Sequence, residues 1–202
     1  MILLVAATEA ELCGRAGLAC GVGPVEAAAA TARALAGDRP DAVLHVGLAG
    51  GLGLELGTLV VGTEAVYDDI AAAIPVVSRI EPDPSLLAAA RQALPEARAL
   101  RIATSASVGG LRGSEPQSPL ARPGATRAVV GEVSGSEPQS TRVEGMEGFA
   151  VLRACALAGV PAVELRALSN ELGEEDRSRW DVPLALEALA GAVPRVLAAI
   201  GE

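Results

Sequence analysis

The sequence predicts an α/β fold, in which a central sheet is covered by helices on both sides. Short apolar runs of strand length alternate along the chain with Ala- and Leu-rich segments of helix length, and this alternation is typical of α/β proteins. The apolar runs are continuous, as expected of strands that are buried on both faces. Of the 202 residues, 50% are apolar and 20% are charged, which fits one globular domain.

The strands are predicted from these runs and from the residues that flank them. The first strand covers residues 1–7, and a second short run at 17–23 closes with Gly-Pro. A glycine-rich turn is predicted at 48–53, directly after a buried strand. The remaining strands are predicted at 41–47, 58–68, 100–104 and 160–169.

The helices are predicted from composition and end signals. Pro24 suits a first helical turn, where its missing N–H costs nothing, and the Ala-rich segment 25–36 follows it. Gly37 is typical of a residue at a helix end. Further helices are predicted at 85–93, in the second half of 143–159 and at about 183–199.

One segment, residues 111–142, does not fit the alternation of strand and helix. It is rich in Gly, Ser, Pro, Gln and Arg, and it contains GSEPQS twice, at 113–118 and 135–140. Two copies are too few for a repeat architecture, and the composition suits an exposed loop. We therefore predict a single domain over 1–202 with a flexible insert at 111–142. A tolerated surface insertion is favoured over a functional lid.

Charge and composition exclude several partners. The net charge is −9, whereas binding to nucleic acid or to an anionic membrane surface needs a basic face. Three cysteines and a single histidine, with no C-x-x-C spacing, predict free thiols and neither a disulfide framework nor a metal site. The N-terminus lacks the basic region of a signal peptide, and no stretch of 18 apolar residues is uninterrupted. We expect a cytoplasmic protein that does not span a membrane.

The glycine-rich stretch after the strand at 41–47 is a candidate ligand site. Ligands of open α/β sheets bind at the carboxyl ends of the strands. A dinucleotide fingerprint is not formed, because Glu26 stands where the third glycine after Gly21 and Gly23 belongs. We therefore expect no nicotinamide or flavin cofactor. The alternative is that these glycines allow close packing of the backbone in a core of small residues.

Two carboxylates, Glu11 and Glu147, are candidate catalytic groups, although neither position is informative alone. Glu11 follows the first strand, and Glu147 lies where a loop enters a helix. A surface glutamate that favours the helix dipole explains Glu147 as well. His45 lies inside an apolar strand and is expected to be a hydrogen-bonded interior histidine. Cys155 is expected in the core.

Four motifs occur together: ATEAEL after the first strand, HVGLAGGLG after an inner strand, EGMEGFA at a helix entry and RALSN at a strand end. In this order and spacing they resemble the 5′-methylthioadenosine/S-adenosylhomocysteine nucleosidases and purine nucleoside phosphorylases. The resemblance covers residues 1–104 and 143–202. It implies a three-layer α/β/α sandwich with a mixed central sheet, like that of nucleoside phosphorylases. It also implies a homodimer or larger homo-oligomer and a small nucleoside as substrate.

The resemblance also implies roles for individual residues. Glu11 matches the carboxylate that orients and deprotonates the attacking water, and Glu147 matches the one that binds the ribose hydroxyls. Asn170 matches the position that addresses the purine ring near N7. The remaining matched positions line the nucleoside site or support it: Ala49, Gly50, Met146 and Ser169.

Asn170 departs from the nucleosidases that act on adenine, which carry Asp there. An amide can donate a hydrogen bond to the O6/N7 edge of a 6-oxopurine, whereas an ionised carboxylate cannot. The expected base is therefore hypoxanthine.

The stretch from Asp176 to Asp181 resembles futalosine hydrolases, which release hypoxanthine on a menaquinone pathway. Futalosine carries a benzoate, so the site needs a cation, and Arg177 and Arg179 are the candidates. The alternative for both arginines is a solvated loop with loose ion pairs. Trp180 either caps the site or anchors the last helix. The predicted activity is hydrolysis of the N-glycosidic bond of futalosine. The alternatives are another purine nucleosidase, a phosphorylase and a non-catalytic nucleoside-binding domain.

Overall fold

A computed structural model gives the fold of the chain and describes residues 1–37, 39–70, 72–107 and 141–201. Within these ranges strands and helices alternate as predicted. The strands are β1 (Ile2–Ala6), β2 (Leu18–Ala19), β3 (Ala42–Leu52), β4 (Leu59–Tyr67), β5 (Arg79–Ile80), β6 (Arg98–Thr104), β7 (Arg142–Gly145) and β8 (Ala162–Glu171). The helices are α1 (Pro24–Gly37), α2 (Pro84–Ala93), α3 (Gly148–Ala158), the short 3₁₀ helix η1 (Arg177–Arg179) and α4 (Val182–Gly201).

The strands form one mixed sheet, which confirms the predicted sheet type. Parallel pairs join β1 to β2 and β3, β3 to β8, and β6 to β4 and β7. Antiparallel pairs join β3 to β7, and β4 to β5 and β8. Since β3, β7, β6, β4 and β8 each pair with two neighbours in this set, they close into a five-stranded ring.

Helices cover both faces of the open part of the sheet, so the three-layer α/β/α architecture is confirmed. Side chains of neighbouring strand residues point to opposite faces. Leu4 and Leu44 therefore pack with α2 and α4, whereas Val5 and Val43 pack with α1 and α3. Small aliphatic side chains from all five strands form a third cluster inside the ring: Ala49, Val60, Leu100, Ile102, Val143 and Leu168.

The sequence analysis predicted a turn at 48–53, and this prediction was wrong, because residues 48–52 form the second half of β3. A Cβ on Gly51 would overlap the side chain of Leu168, and a Cβ on Gly47 would overlap the guanidinium of Arg166. Glycine at these positions lets β3 lie against large side chains of β8. The sequence pattern was misread because glycine normally weakens a strand unless another group approaches its backbone closely.

The predicted insert at 111–142 lies outside the described residues, except for its last two. Arg142 is the first residue of β7, which the sequence analysis missed together with β5. The Arg142 guanidinium pairs with Asp68 and, at 3.1 Å, with Glu144. These contacts place the end of the predicted insert within the sheet.

Among the described residues, α4 is the one helix long and apolar enough to cross a membrane by length and composition. Its residues Ala185, Leu189, Val193 and Val196 are buried in the core shared with α2 and the sheet. The helix therefore has the packing of a core helix in a globular domain.

Candidate active site

A cavity of about 580 Å³ opens where β1, β3 and β8 end and where β7 leads into α3. The carboxyl ends of these parallel strands meet at one edge of the sheet, as ligand sites in α/β folds do. Nine of the ten residues singled out in the sequence line this cavity: Glu11, Ala49, Gly50, Met146, Glu147, Ser169, Asn170, Arg177 and Trp180.

Glu11 is a buried carboxylate whose two oxygens are held by separate segments. The backbone N–H and the hydroxyl of Thr8 donate to Oε2, at 2.9 and 2.7 Å. The backbone N–H of Leu48 donates to Oε1 at 3.0 Å. The loop after β1 and the strand β3 thereby fix the carboxylate at the cavity wall.

Glu147 is also buried and lies at the entry of α3. It makes no side-chain capping bond to its own helix, so a surface helix-start role does not explain it. Instead, the backbone N–H of Gly23 donates to its Oε1 at 3.0 Å. Gly23 precedes α1, and a carboxylate at a helix N-terminus is stabilised by the helix dipole. The carboxylate of Glu147 thus links the starts of α1 and α3.

Arg166 of β8 is fully buried behind these two carboxylates, and the sequence analysis missed it. Its Nη1 donates to the Leu48 carbonyl at 3.2 Å and lies 3.4 Å from Oε2 of Glu147. Its Nε donates to Oε1 of Glu164, on the same strand, at 2.8 Å. Burial alone would lower the pKa of the guanidinium, but Glu164, Glu147 and Glu11 together raise it.

Arg166 is also the arginine that lies against the glycine-rich part of β3. Strand pairing brings Arg166 beside Gly47 although 119 positions separate them in the sequence. The two residues are opposite each other in the β3–β8 ladder.

His45 is buried and hydrogen-bonded, as the sequence analysis predicted. Its Nδ1 lies 3.1 Å from the Val5 carbonyl, and its Nε2 lies 2.6 Å from Nη2 of Arg166. A carbonyl can accept only, and a guanidinium can donate only. The ring is therefore neutral, with its proton on Nδ1. Burial and the neighbouring charge of Arg166 hold the pKa of His45 well below its usual value.

Ser169 and Asn170 lie together at the end of β8 because of a bulge. The register between β3 and β8 shifts at this point, so that Ala49 pairs with Leu168 and Gly50 pairs with Asn170. In a regular strand the two polar side chains would point to opposite faces. Here the Ser169 hydroxyl donates to Oδ1 of Asn170 at 2.9 Å.

This hydrogen bond sets the orientation of the Asn170 amide. Its Oδ1 accepts from Ser169, and its Nδ2 donates to the Glu171 carbonyl at 3.0 Å. The nitrogen carries a second N–H, for which the described residues provide no acceptor. A Cβ on Gly50 would lie 3.1 Å from this nitrogen, so the glycine leaves the amide room at the cavity wall.

The three candidate residues between Asp176 and Asp181 separate into two groups. The Arg177 guanidinium lies 5.3 Å from the centre of the Trp180 ring, and both side chains line the cavity. Among the described residues, Arg179 does not line it. Its guanidinium is exposed and pairs with Glu174 at 3.2 Å. Arg179 thus has the solvated-loop environment that was the alternative in the sequence analysis, whereas Arg177 is also exposed but lies at the cavity wall.

The cysteines are free thiols, as predicted. Burial raises the pKa of Cys20 to about 11 and that of Cys155 to about 12. Because the thiolate is the reactive form, neither residue is an activated nucleophile. Cys155 lies in the core between α3 and the sheet, as expected.

Comparison with known proteins assigns the family. The model of the phosphorylase superfamily matches residues 12–200. The chain belongs to this superfamily. The futalosine hydrolase of Streptomyces coelicolor is 36% identical over 201 aligned positions, and the match covers 89% of this chain and 77% of that one. A 5′-methylthioadenosine/S-adenosylhomocysteine nucleosidase of Chromohalobacter salexigens is 31% identical over 171 residues, which cover 78% and 67% of the two chains.

The solved structures of the superfamily confirm the fold. A 5′-methylthioadenosine/S-adenosylhomocysteine nucleosidase of Colwellia psychrerythraea, in complex with adenine, superposes with a TM-score of 0.74. The match covers 98% of this chain and 94% of that chain at 22% identity. Both sequence relatives are N-glycosyl hydrolases by name. This member of the phosphorylase superfamily is likewise an N-glycosyl hydrolase.

We predict that His45 stays neutral at mildly acidic pH. Because its pKa is lowered in the fold, the unfolded chain takes up a proton near pH 6.5 and the folded chain does not. Protonation of His45 in the unfolded chain therefore lowers the free energy of unfolding by about 1.4 kcal/mol for each pH unit below about 6.5. The single histidine gives one set of ring ¹⁵N resonances, which should keep the pattern of a neutral Nδ1–H ring down to about pH 5.5. The urea-unfolded chain is the control, and a folded-state titration near pH 6.5 would contradict the assignment.

Proposed function

We propose that this enzyme hydrolyses futalosine to hypoxanthine and dehypoxanthine futalosine, in menaquinone biosynthesis in the cytoplasm. The observation that carries the proposal is the Asn170 amide, which presents an N–H to a cavity that also contains Glu11 and Glu147. A base with an acceptor at O6 or N7 can receive this hydrogen bond. The similarity to the Streptomyces coelicolor futalosine hydrolase supports the same substrate.

Glu11 is proposed as the general base. Cleavage of an N-glycosidic bond passes through a cationic, oxocarbenium-like sugar, as in other glycoside hydrolyses. A water molecule held by Glu11 gives a proton to the carboxylate while its oxygen bonds to C1′ of the sugar. The bond between C1′ and N9 of the purine breaks, and its electron pair leaves with the base. The base takes up a proton from solvent, and Glu11 afterwards returns its proton to solvent. The hydrogen bonds from Thr8 and Leu48 hold the carboxylate in place for this step.

Asn170 and Glu147 are proposed to stabilise the two halves of the transition state. The Asn170 amide donates to the purine edge on which negative charge develops. The Glu147 carboxylate accepts hydrogen bonds from the 2′- and 3′-hydroxyls, which strengthen as the sugar becomes cationic. Met146 lines the same part of the cavity and is proposed to pack against the sugar.

Arg177 is proposed to pair with the benzoate of futalosine. It lies at the cavity wall and stacks over Trp180, and an arginine matches the geometry of a carboxylate. Arg142 also lines the cavity, but its charge is opposed by Asp68 and Glu144. Arg177 is therefore a better candidate than Arg142 to bind the negative charge of the substrate.

A 5′-methylthioadenosine/S-adenosylhomocysteine nucleosidase is the second candidate, because the Chromohalobacter salexigens relative carries that name. A phosphorylase is less well supported. Arg166 lies near the glycines of β3, but it is fully buried and paired with Glu164, Glu147 and His45. A phosphorolytic site needs a cation that phosphate can reach.

The resemblance also predicts a homodimer or larger oligomer, which light scattering after size exclusion measures.

The first test is base release from futalosine, methylthioadenosine and inosine, with and without phosphate. We expect hypoxanthine from futalosine at the highest kcat/KM, with no dependence on phosphate. Glu11→Gln should lower kcat by about 10²- to 10⁴-fold, because the attacking water loses its base. Glu9→Gln is the matched control, since Glu9 is exposed on the same loop and should leave the rate unchanged. Release of adenine from methylthioadenosine, without release of hypoxanthine from futalosine, would reject the proposed substrate. An unchanged kcat in Glu11→Gln would reject Glu11 as the general base.

The second test separates the two arginines. Arg177→Gln should raise KM for futalosine about 10-fold or more, as expected for loss of a charge-assisted contact. It should leave KM for inosine, which has no carboxylate, within about twofold. Arg179→Gln is the control and should change neither value. Equal effects of Arg177→Gln on both substrates would show that the guanidinium does not meet the benzoate.

A further inference from the structure

The hydrogen bonds of Arg166 differ in length in a way that concerns the catalytic site. The contacts to Glu164 and His45 are short, at 2.8 and 2.6 Å. The contact from Nη1 to Oε2 of Glu147 is long, at 3.4 Å. Charge-assisted hydrogen bonds between nitrogen and a carboxylate are normally about 2.7–2.9 Å. The guanidinium is thus bonded firmly on the side away from Glu147 and only weakly toward it.

We propose that Glu164 is a positioning residue, which with His45 holds the Arg166 guanidinium back from Glu147 and so leaves that carboxylate free to bind the sugar hydroxyls. The inference rests on the proposed function, in which Glu147 binds the ribose. It assigns Glu164 no contact with the substrate, and Glu164 does not line the cavity among the described residues.

The charges around the arginine explain why Glu164 is needed. Glu11, Glu147 and Glu164 all act on the one guanidinium, and His45 on its other side is neutral. A buried cation without a close carboxylate is strongly unfavourable. If Glu164 lost its charge, the guanidinium would move toward Glu147 and form the ordinary short ion pair with it. Oε2 of Glu147 would then be occupied by the arginine.

Glu164 also packs against the start of α3, the helix that follows Glu147. Its carboxyl group lies against Gly148, the first residue of α3 and the direct neighbour of Glu147. A Cβ on Gly148 would overlap both carboxylate oxygens. Within the described part of the chain, Oε2 of Glu164 makes no hydrogen bond. The carboxylate therefore depends on Arg166 for its partner, and the glycine leaves it the space it needs.

A double-mutant cycle between Glu164 and Glu147 tests the coupling. Glu164→Gln keeps the shape and an acceptor for Nε but removes the charge. It should lower kcat/KM for futalosine about 10- to 100-fold, in the range of couplings between residues of one network. In the Glu147→Gln background the same substitution should have an effect of no more than about twofold. A purely structural role predicts the same factor in both backgrounds, and that result would overturn the proposal.

Glu64→Gln is the control substitution. It removes the charge from a different, partly buried ion pair, in which Arg79 donates to Glu64 at 2.9 Å. Glu64 does not line the cavity among the described residues. Its effect on kcat/KM should be small, and it should be equal in both backgrounds. If Glu164→Gln fails to fold, Glu164→Asp is used in the same cycle. It withdraws the carboxylate by one methylene and should show the same dependence on Glu147.

A readout that needs no turnover is provided by His45. In Glu164→Gln the guanidinium should move away from the ring, so that the ¹⁵N resonance of Nε2 shifts toward that of a free imidazole acceptor. An unchanged resonance would overturn the proposal even if activity falls. The two ideas fail separately. A wild-type protein that does not hydrolyse futalosine rejects the proposed function, whereas an additive cycle in an active enzyme rejects only the role of Glu164.

Discussion

The site depends on one buried cation, the guanidinium of Arg166. A buried arginine is tolerated only when its donors are paired and its charge is opposed. Here Nε donates to Glu164, and Nη2 donates to the neutral ring of His45. Nη1 contacts the backbone of β3 and the carboxylate of Glu147. This requirement explains why β3 carries glycine opposite the arginine and why an imidazole lies inside an otherwise apolar strand.

The fold brings the chemistry to this cation from distant parts of the sequence. The loop after β1 supplies Glu11, and the start of α3 supplies Glu147. Glu147 also accepts a hydrogen bond from the backbone N–H of Gly23, just before α1. The bulge in β8 turns Ser169 and Asn170 toward each other and toward the cavity. Three supports of different kinds therefore hold the three groups: a loop, a helix entry and a strand irregularity. Each fixes its side chain through backbone groups, which keeps the geometry rigid.

Much of the architecture could be predicted from the sequence, because continuous apolar runs and helix end signals are local features. His45 and Cys155 were placed correctly in the interior from their apolar neighbours. The glycines of β3 were misread as a turn, since their meaning depends on Arg166 and Leu168 of another strand. Glu164 and Arg166 were missed for the same reason. A signal was present, because two charges two positions apart in an apolar strand lie on one buried face. Their importance appears only when strand pairing surrounds them with Glu147 and His45.

The roles of Glu11, Glu147 and Asn170 came from resemblance to nucleosidases, and the geometry adds the reason why these residues can act together. The most direct test of the account is hydrolysis of futalosine in H₂¹⁸O, with phosphate present. The account predicts one ¹⁸O atom at C1 of the released sugar product, with unlabelled hypoxanthine as the base. A sugar 1-phosphate without the label, or no cleavage of futalosine, would contradict it.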